Sequence, residues 1–276
     1  MTTKATQTKP AEATPTTTAK PVGVLPTAST PPKRRIEDLS ILLYGAPKIG
    51  KSSFAAQFPD ALFLPTEPGL NSLDVFQAPA DGTGVKDWPE LSRIYSEVAR
   101  GGHGFKTTVI DTIGNAYEFA AAHVCGARNV EYAGDLAHGK GWGLIKAEFK
   151  RLITAAAKLP FGLIMIAHAT NDKIEQGGSE IIKTRPTLSN ACREVLLGLC
   201  DMILFFDVEK VNDDNGNVRF DRVLRTKPNA NFEAGDRSGT LPAVIRVPNG
   251  ASMSGPEHSR ALFNEFRKAY ESGVKK

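Results

Sequence analysis

The run Gly45-Ala-Pro-Lys-Ile-Gly-Lys51-Ser52 fits the phosphate-loop pattern G-x-x-x-x-G-K-[ST]. Glycines at that spacing let backbone N–H groups turn inward around a phosphate. Lys51 then brings a positive charge to the β- and γ-phosphates, and the Ser52 hydroxyl is a hard oxygen donor suited to Mg²⁺. Gly45, Ala46, Pro47, Lys48, Ile49, Gly50, Lys51, Ser52 and Ser53 are therefore expected to line a nucleoside triphosphate. Thr107-Thr-Val-Ile-Asp111 is an apolar strand ending in an acid, which would set Asp111 beside Ser52 in the metal shell at the carboxyl edge of a parallel sheet. Hydrolysis also needs a group that orients or deprotonates water. The residue after Asp111 is Thr112, so the next candidate is Glu67, just past the expected strand Ala61 to Thr66. The guanine-reading order N-K-x-D is missing, since Thr170-Asn-Asp-Lys173 runs the wrong way, and this points to ATP rather than GTP.

The elements that must hold these residues alternate in an α/β order. Ile41 to Tyr44, Ala61 to Leu64, Thr107 to Asp111, Leu163 to Ala167 and Met202 to Phe206 read as buried strands, and Ser53 to Phe58 as the helix that follows the phosphate loop. Ile145, Phe149, Leu152, Ile153 and Ala156 recur at helical spacing, as do Leu188, Ala191, Cys192, Val195, Leu196 and Leu199, and Leu262, Phe263, Phe266, Ala269 and Tyr270. Two hairpins are expected, Asp172 to Lys183 turning at Gly177-Gly178 and Val208 to Leu224 turning at Asn215-Gly216.

From about Asp38 to Val247 these motifs together resemble the RecA-type ATPase core. More narrowly, L-L-Y-G-A-P-K-I-G-K-S-S-F-A-A-Q-F-P-D with L-F-L-x-T-E-x-G-L-N-S-L-D resembles the bacteriophage P-loop ATP-binding proteins, a group that includes RecA-core single-strand annealing recombinases. The resemblance implies an α/β fold, a RecA-like P-loop NTPase with a mostly parallel central sheet flanked by helices and a C-terminal β-hairpin extension. It implies ATP and Mg²⁺ as cofactors, Glu67 as the water-activating residue, and His168 in the γ-phosphate-sensing place where recombinases usually carry Gln. It implies self-association into a ring or filament, because Ala234-Gly-Asp-Arg237-Ser-Gly239 resembles the K-x-R-x-G element that reaches a neighbouring subunit's nucleotide. Gly235 stands where the family has Lys, so only Arg237 carries over, and one of the two expected charges is missing unless Lys227 or Arg225 supplies it.

Two loops fall where RecA-like proteins hold DNA. One, after Ala167, contains Lys173, Lys183 and Arg185. The other, the Gly-rich Cys125 to Gly143, contains Arg128, Tyr132, His138, Lys140 and Trp142. Basic and aromatic residues interleaved in this way suit a single strand, through phosphate pairing and base stacking, although Asp172, Glu175 and Glu180 offset the first segment. Single-stranded DNA is the expected partner, with a single-strand-binding protein or replication protein as a further one.

The chain has 276 residues, with 34 Lys and Arg against 30 Asp and Glu. The first 35 residues hold ten Thr, six Pro, six of the bases and a single acid, Glu12, so the charge excess lies in that tail and the rest balances at −1. A body near neutrality can carry only a local polyanion site. The tail reads as disordered, which divides the chain into 1–35 and an ATPase domain 36–276. Three cysteines, Cys125, Cys192 and Cys200, have no metal-type spacing and form no disulfide framework. With no long apolar run, the expected location is the cytoplasm of a bacterial host. Two other readings share the phosphate loop. A small-molecule phosphotransferase would need an Arg-rich lid, which is not evident, and an assembly ATPase with a protein partner would suit the near-neutral body.

Overall fold

The apolar run Ser40–Gly45 forms β1, and each of its residues is buried. Burial on both faces explains why the sequence there shows no alternation. The computed structural model describes residues 25, 28–136, 139–212, 218–247, 253 and 255–274, so most of the expected tail, and the turn at Asn215-Gly216, lie outside the described residues. Contacts divide the chain into Met1–Pro32 and Lys33–Lys276. Lys33, the first residue of the second unit, is tied down. Its ammonium pairs with Asp201 at 3.2 Å and its carbonyl accepts a hydrogen bond from the Tyr270 hydroxyl at 2.9 Å.

In chain order the elements after β1 are α1 (Lys51–Ala55), β2 (Ala61–Pro65), β3 (Phe76–Gln77), α2 (Trp88–Arg100), β4 (Thr107–Asp111), α3 (Ile113–Gly126) and α4 (Lys140–Ala157). They continue with β5 (Gly162–Gln176), β6 (Ser179–Pro186), α5 (Asn190–Leu199), β7 (Met202–Asn212), β8 (Val218–Arg225), β9 (Gly235–Asp236), β10 (Val244–Ile245) and α6 (Gly255–Gly273). The strands form one sheet in the order β10-β8-β7-β1-β5-β4-β2-β3, with β6 joined to β5 and β9 to β7. Pairing is parallel from β7 through β1, β5, β4 and β2 to β3. It is antiparallel in the C-terminal β7–β8 hairpin and in β5–β6. The fold is thus α/β with a mostly parallel central sheet flanked by helices.

Alternate residues of β1 feed two cores. Leu42 and Tyr44 join the apolar faces of α2, α3, α4 and α5, through side chains such as Trp88, Tyr117, Phe149 and Leu196. Ile41 and Leu43 join Phe54, Phe206, Phe263 and Phe266 between α1, the sheet and α6. α1 has only five residues, too short to be stable alone. Phe54 anchors it by edge-on contacts with Phe58, Phe206, Phe263 and Phe266, with centroids 5.8 to 6.0 Å apart. α2 and α3 go beyond the expected elements. α2 is nonetheless legible, with Asp87 capping the Glu90 N–H and Trp88, Leu91, Ile94, Tyr95 and Val98 on one buried face.

Tyr44, next to the phosphate loop, donates to the Glu233 carbonyl at 2.5 Å and accepts from the Glu233 N–H at 3.1 Å. Tyr44→Phe should cost about 1–2 kcal/mol, because a buried carbonyl loses its partner. The expected readout is a lower urea midpoint at unchanged m-value.

Candidate functional site

The phosphate loop leaves β1 at a point where only glycine fits. A Cβ on Gly45 would collide with the Phe206 carbonyl oxygen of β7. Gly50, at φ 112°, turns the chain into α1 in a region that side chains avoid. Ala46, Pro47 and Lys48 are exposed, and Ile49 is buried as the loop's anchor. Lys51 is only 6% exposed. Its ammonium donates to the carbonyls of Gly45 at 3.0 Å and Ala46 at 2.9 Å. Burial pushes its pKa down, opposed by the charges of Asp111 and Glu67.

Asp111 ends β4 on the same edge of the sheet. Its carboxylate is buried and accepts a hydrogen bond from the Ser52 hydroxyl at 2.6 Å. Burial pushes the Asp111 pKa up; the Ser52 bond opposes this, and the nearby Glu67 charge adds to it. One hydroxyl and one carboxylate, both hard oxygen donors held together in a buried place, fit a magnesium ion.

Glu67 lies two residues beyond the end of β2 and reaches across the edge. Its Oε1 is 3.3 Å from His168 Nε2, and its Oε2 accepts from Asn115 Nδ2 at 3.2 Å. The Thr112 hydroxyl stands 3.5 Å away, at the limit of a hydrogen bond. A backbone clamp fixes this corner. The Thr66 hydroxyl donates to the Thr112 carbonyl and accepts from the Thr112 N–H, both at 2.8 Å, while the Thr66 N–H donates to the Asp111 carbonyl at 2.8 Å. Asn115 also donates to the Thr66 carbonyl at 3.3 Å. Lys51, Ser52, Ser53, Glu67, Asp111 and His168 line one cleft of about 480 Å³. Asn115 and Thr66 were not expected from the sequence. The available signal was Asn115's place four residues past Asp111, on the first turn of the helix that leaves the strand end.

The other expected residues are not brought to this cleft. Arg237 follows β9, which pairs with the start of β7 at Met202↔Asp236. This is the sheet edge opposite the phosphate loop, since Gly45 pairs with Phe206 at the far end. Its guanidinium donates to the Gly198 carbonyl at 3.0 Å and lies 3.6 Å from Asp201. Lys227 pairs with Asp236 at 3.4 Å and Arg225 with Asp207 at 2.9 Å. The segment after Ala167 is no loop but the β5–β6 hairpin, with its turn at Gly177-Gly178 as expected. On it Lys173 pairs with Glu180 at 2.9 Å and Arg185 with Asp172 at 2.6 Å. In the second segment Arg128 lies just past α3, and Lys140 is the first residue of α4 rather than part of a loop. Tyr132 and Trp142 are exposed, and His138 lies outside the described residues.

Comparison with known proteins adds three findings. A family model described as AAA domain matches residues 37–238. A SPbeta prophage-derived uncharacterized protein, YorG, of Bacillus subtilis (strain 168) is 23% identical over 193 residues, covering 67% of this chain. The match spans 55% of that relative, so the chain accounts for about half its length. A KaiC-like protein from Pyrococcus horikoshii OT3 aligns at 15% identity with a TM-score of 0.41, over 68% of this chain and 79% of that one.

The raised Asp111 pKa carries a stability consequence. An acid whose folded pKa is raised contributes most below the ordinary carboxylate pKa, and that contribution is lost as pH rises through the folded value. In its ionised form Asp111 therefore destabilises the fold. Asp111→Asn should melt above wild type at pH 7 in the absence of nucleotide, and the gap should close as pH falls below about 4. Calorimetric melts at several pH values check this.

Proposed function

This chain belongs to the AAA domain family and carries an AAA-type P-loop ATPase domain, and we propose that it hydrolyses MgATP in the 480 Å³ cleft while acting on single-stranded DNA in phage recombination, annealing or replication. The observation that carries the hydrolysis reading is the convergence of Lys51, the Ser52–Asp111 pair and the Glu67–His168 pair on that one cleft.

The residues divide the work by position. Ser52 and Asp111 would hold Mg²⁺, which when bound supplies charge against the phosphates. The Lys51 ammonium, now bonded to two loop carbonyls, is the cation nearest the expected β- and γ-phosphates. Glu67 is a carboxylate anchored by Asn115 and His168, suited to accept a proton from an attacking water. His168 faces both the cleft and Glu67, which supports its reading as the sensor of the terminal phosphate.

The DNA role is supported by the continuity of β5. The strand that carries His168 runs on into the hairpin bearing Lys173, Lys183 and Arg185, so whatever the hairpin holds is mechanically joined to the Glu67 partner. The prophage origin of the relative accords with a phage role. Arg128 and Lys140 would extend the contact. Arg237, on the opposite edge, could reach phosphates only in another subunit of a ring or filament, with Lys227 close by as the second charge.

Lys51→Ala should abolish MgATP binding by calorimetry while the fold is kept. Glu67→Gln should bind ATP normally and lose on the order of 10²-fold or more in turnover. Single-stranded DNA should raise the wild-type ATPase rate; a rate indifferent to DNA would leave the ATPase and remove the DNA role. For Arg237→Ala, normal ATP binding with poor turnover, partly restored by mixing with Lys51→Ala protein, is the outcome expected of a group acting between subunits.

A further inference from the structure

A second cleft of about 450 Å³ adjoins the nucleotide cleft at His168, which lines both. Thr112 and Asn115, the hydrogen-bonding neighbours of Glu67, line the second cleft, together with Arg185, Asn190 and Arg193. The wall between the two spaces therefore includes the hydrogen-bonded set Glu67, His168 and Asn115.

Two of the side chains that line the second cleft carry unpartnered nitrogen atoms. His168 Nδ1 and Arg185 Nε are buried and have no hydrogen-bond partner among the described residues, a state that costs free energy unless something else supplies the partner. The nearby acids do not fill this need. Asp172 takes only the Nη2 edge of Arg185. Glu233 pairs with Nε and Nη2 of Arg193 at 3.1 and 2.7 Å without itself lining the cleft. Glu118 is exposed at the rim. The two guanidiniums are thus held in place by ion pairs that occupy part of each fork, and a guanidinium has five N–H donors. Donors of this kind around one space are complementary to a tetrahedral oxyanion.

We propose that the second cleft is a phosphate-group site, and that its occupant is the phosphate cleaved in the neighbouring cleft, held beside His168 before release. A phosphate oxygen accepting from Nδ1 fixes a proton on that nitrogen. Nε2 then either loses its proton or shares a doubly protonated ring, so occupancy alters what His168 offers Glu67. The occupant's identity as a product rests on the hydrolysis reading above; the existence of the site does not. The same chemistry could also be met by a phosphodiester of a bound strand, and the test separates the two.

Inorganic phosphate is titrated calorimetrically into full-length Lys51→Ala protein, in which the nucleotide cleft lacks its lysine. One binding site is expected, and adding Asn190→Glu should weaken it by about tenfold or more through charge repulsion. Removing Arg193 could disturb its Glu233 pair, whereas Asn190 is the exposed first residue of the ten-residue α5, a position where helix polarity favours an acid. Unchanged circular dichroism melting confirms that the variant folds. Failure of oligothymidylate to displace the phosphate supports the product assignment, and displacement overturns it in favour of a strand phosphodiester. Absence of phosphate binding, or binding that Asn190→Glu leaves unaltered, overturns the site itself. ATP affinity retained by Lys51→Ala would instead defeat the nucleotide-cleft reading and leave the phosphate result standing.

Discussion

Parallel hydrogen bonding of β1, β5, β4 and β2 is the constraint on which the site depends. It brings four strands distant in sequence to one edge, where β1, β4 and β2 end and β5 leaves the central sheet, with Gly45 opposite His168 and Pro65 opposite Asp111. At those ends stand the phosphate loop, His168, Asp111 and Glu67, the residues to which the proposed function gives separate parts. An open α/β sheet gathers ligand groups at the carboxyl ends of its strands for this reason. The Thr66–Thr112 clamp then locks two of those ends together.

What the edge assembles works against stability. Lys51 and Asp111 are both buried, and burial drives each toward its neutral form. Loop carbonyls and a serine hydroxyl compensate only in part. The triphosphate and metal ion of the proposed function would complement both charges. The aromatic cluster around Phe54 holds the short helix that carries Lys51 and Ser52 against that tension.

β5 spans two settings in one continuous strand. Its first half lies in the central sheet and its second half pairs with β6 outside the nucleotide cleft, with His168 near the junction. Backbone alone therefore connects the hairpin to the partner of Glu67. The second cleft lies against the same junction, which makes His168 the residue both spaces share.

The local parts were legible in the sequence. The phosphate loop, the strand ending at Asp111, the buried strands and the hairpin turning at Gly177-Gly178 are short-range patterns, because a strand, a turn or a loop motif is set by neighbours within a few residues. Tertiary structure decided the rest. That Glu67 meets His168 and Asn115, and that Arg237 sits on the far edge, follow from strand order and register. Those depend on how two apolar faces of the sheet are covered by helices remote in sequence, so no local pattern encodes them. Lys33 is tied down for the same reason: its partners, Asp201 and Tyr270, come within reach only once the sheet and α6 have packed.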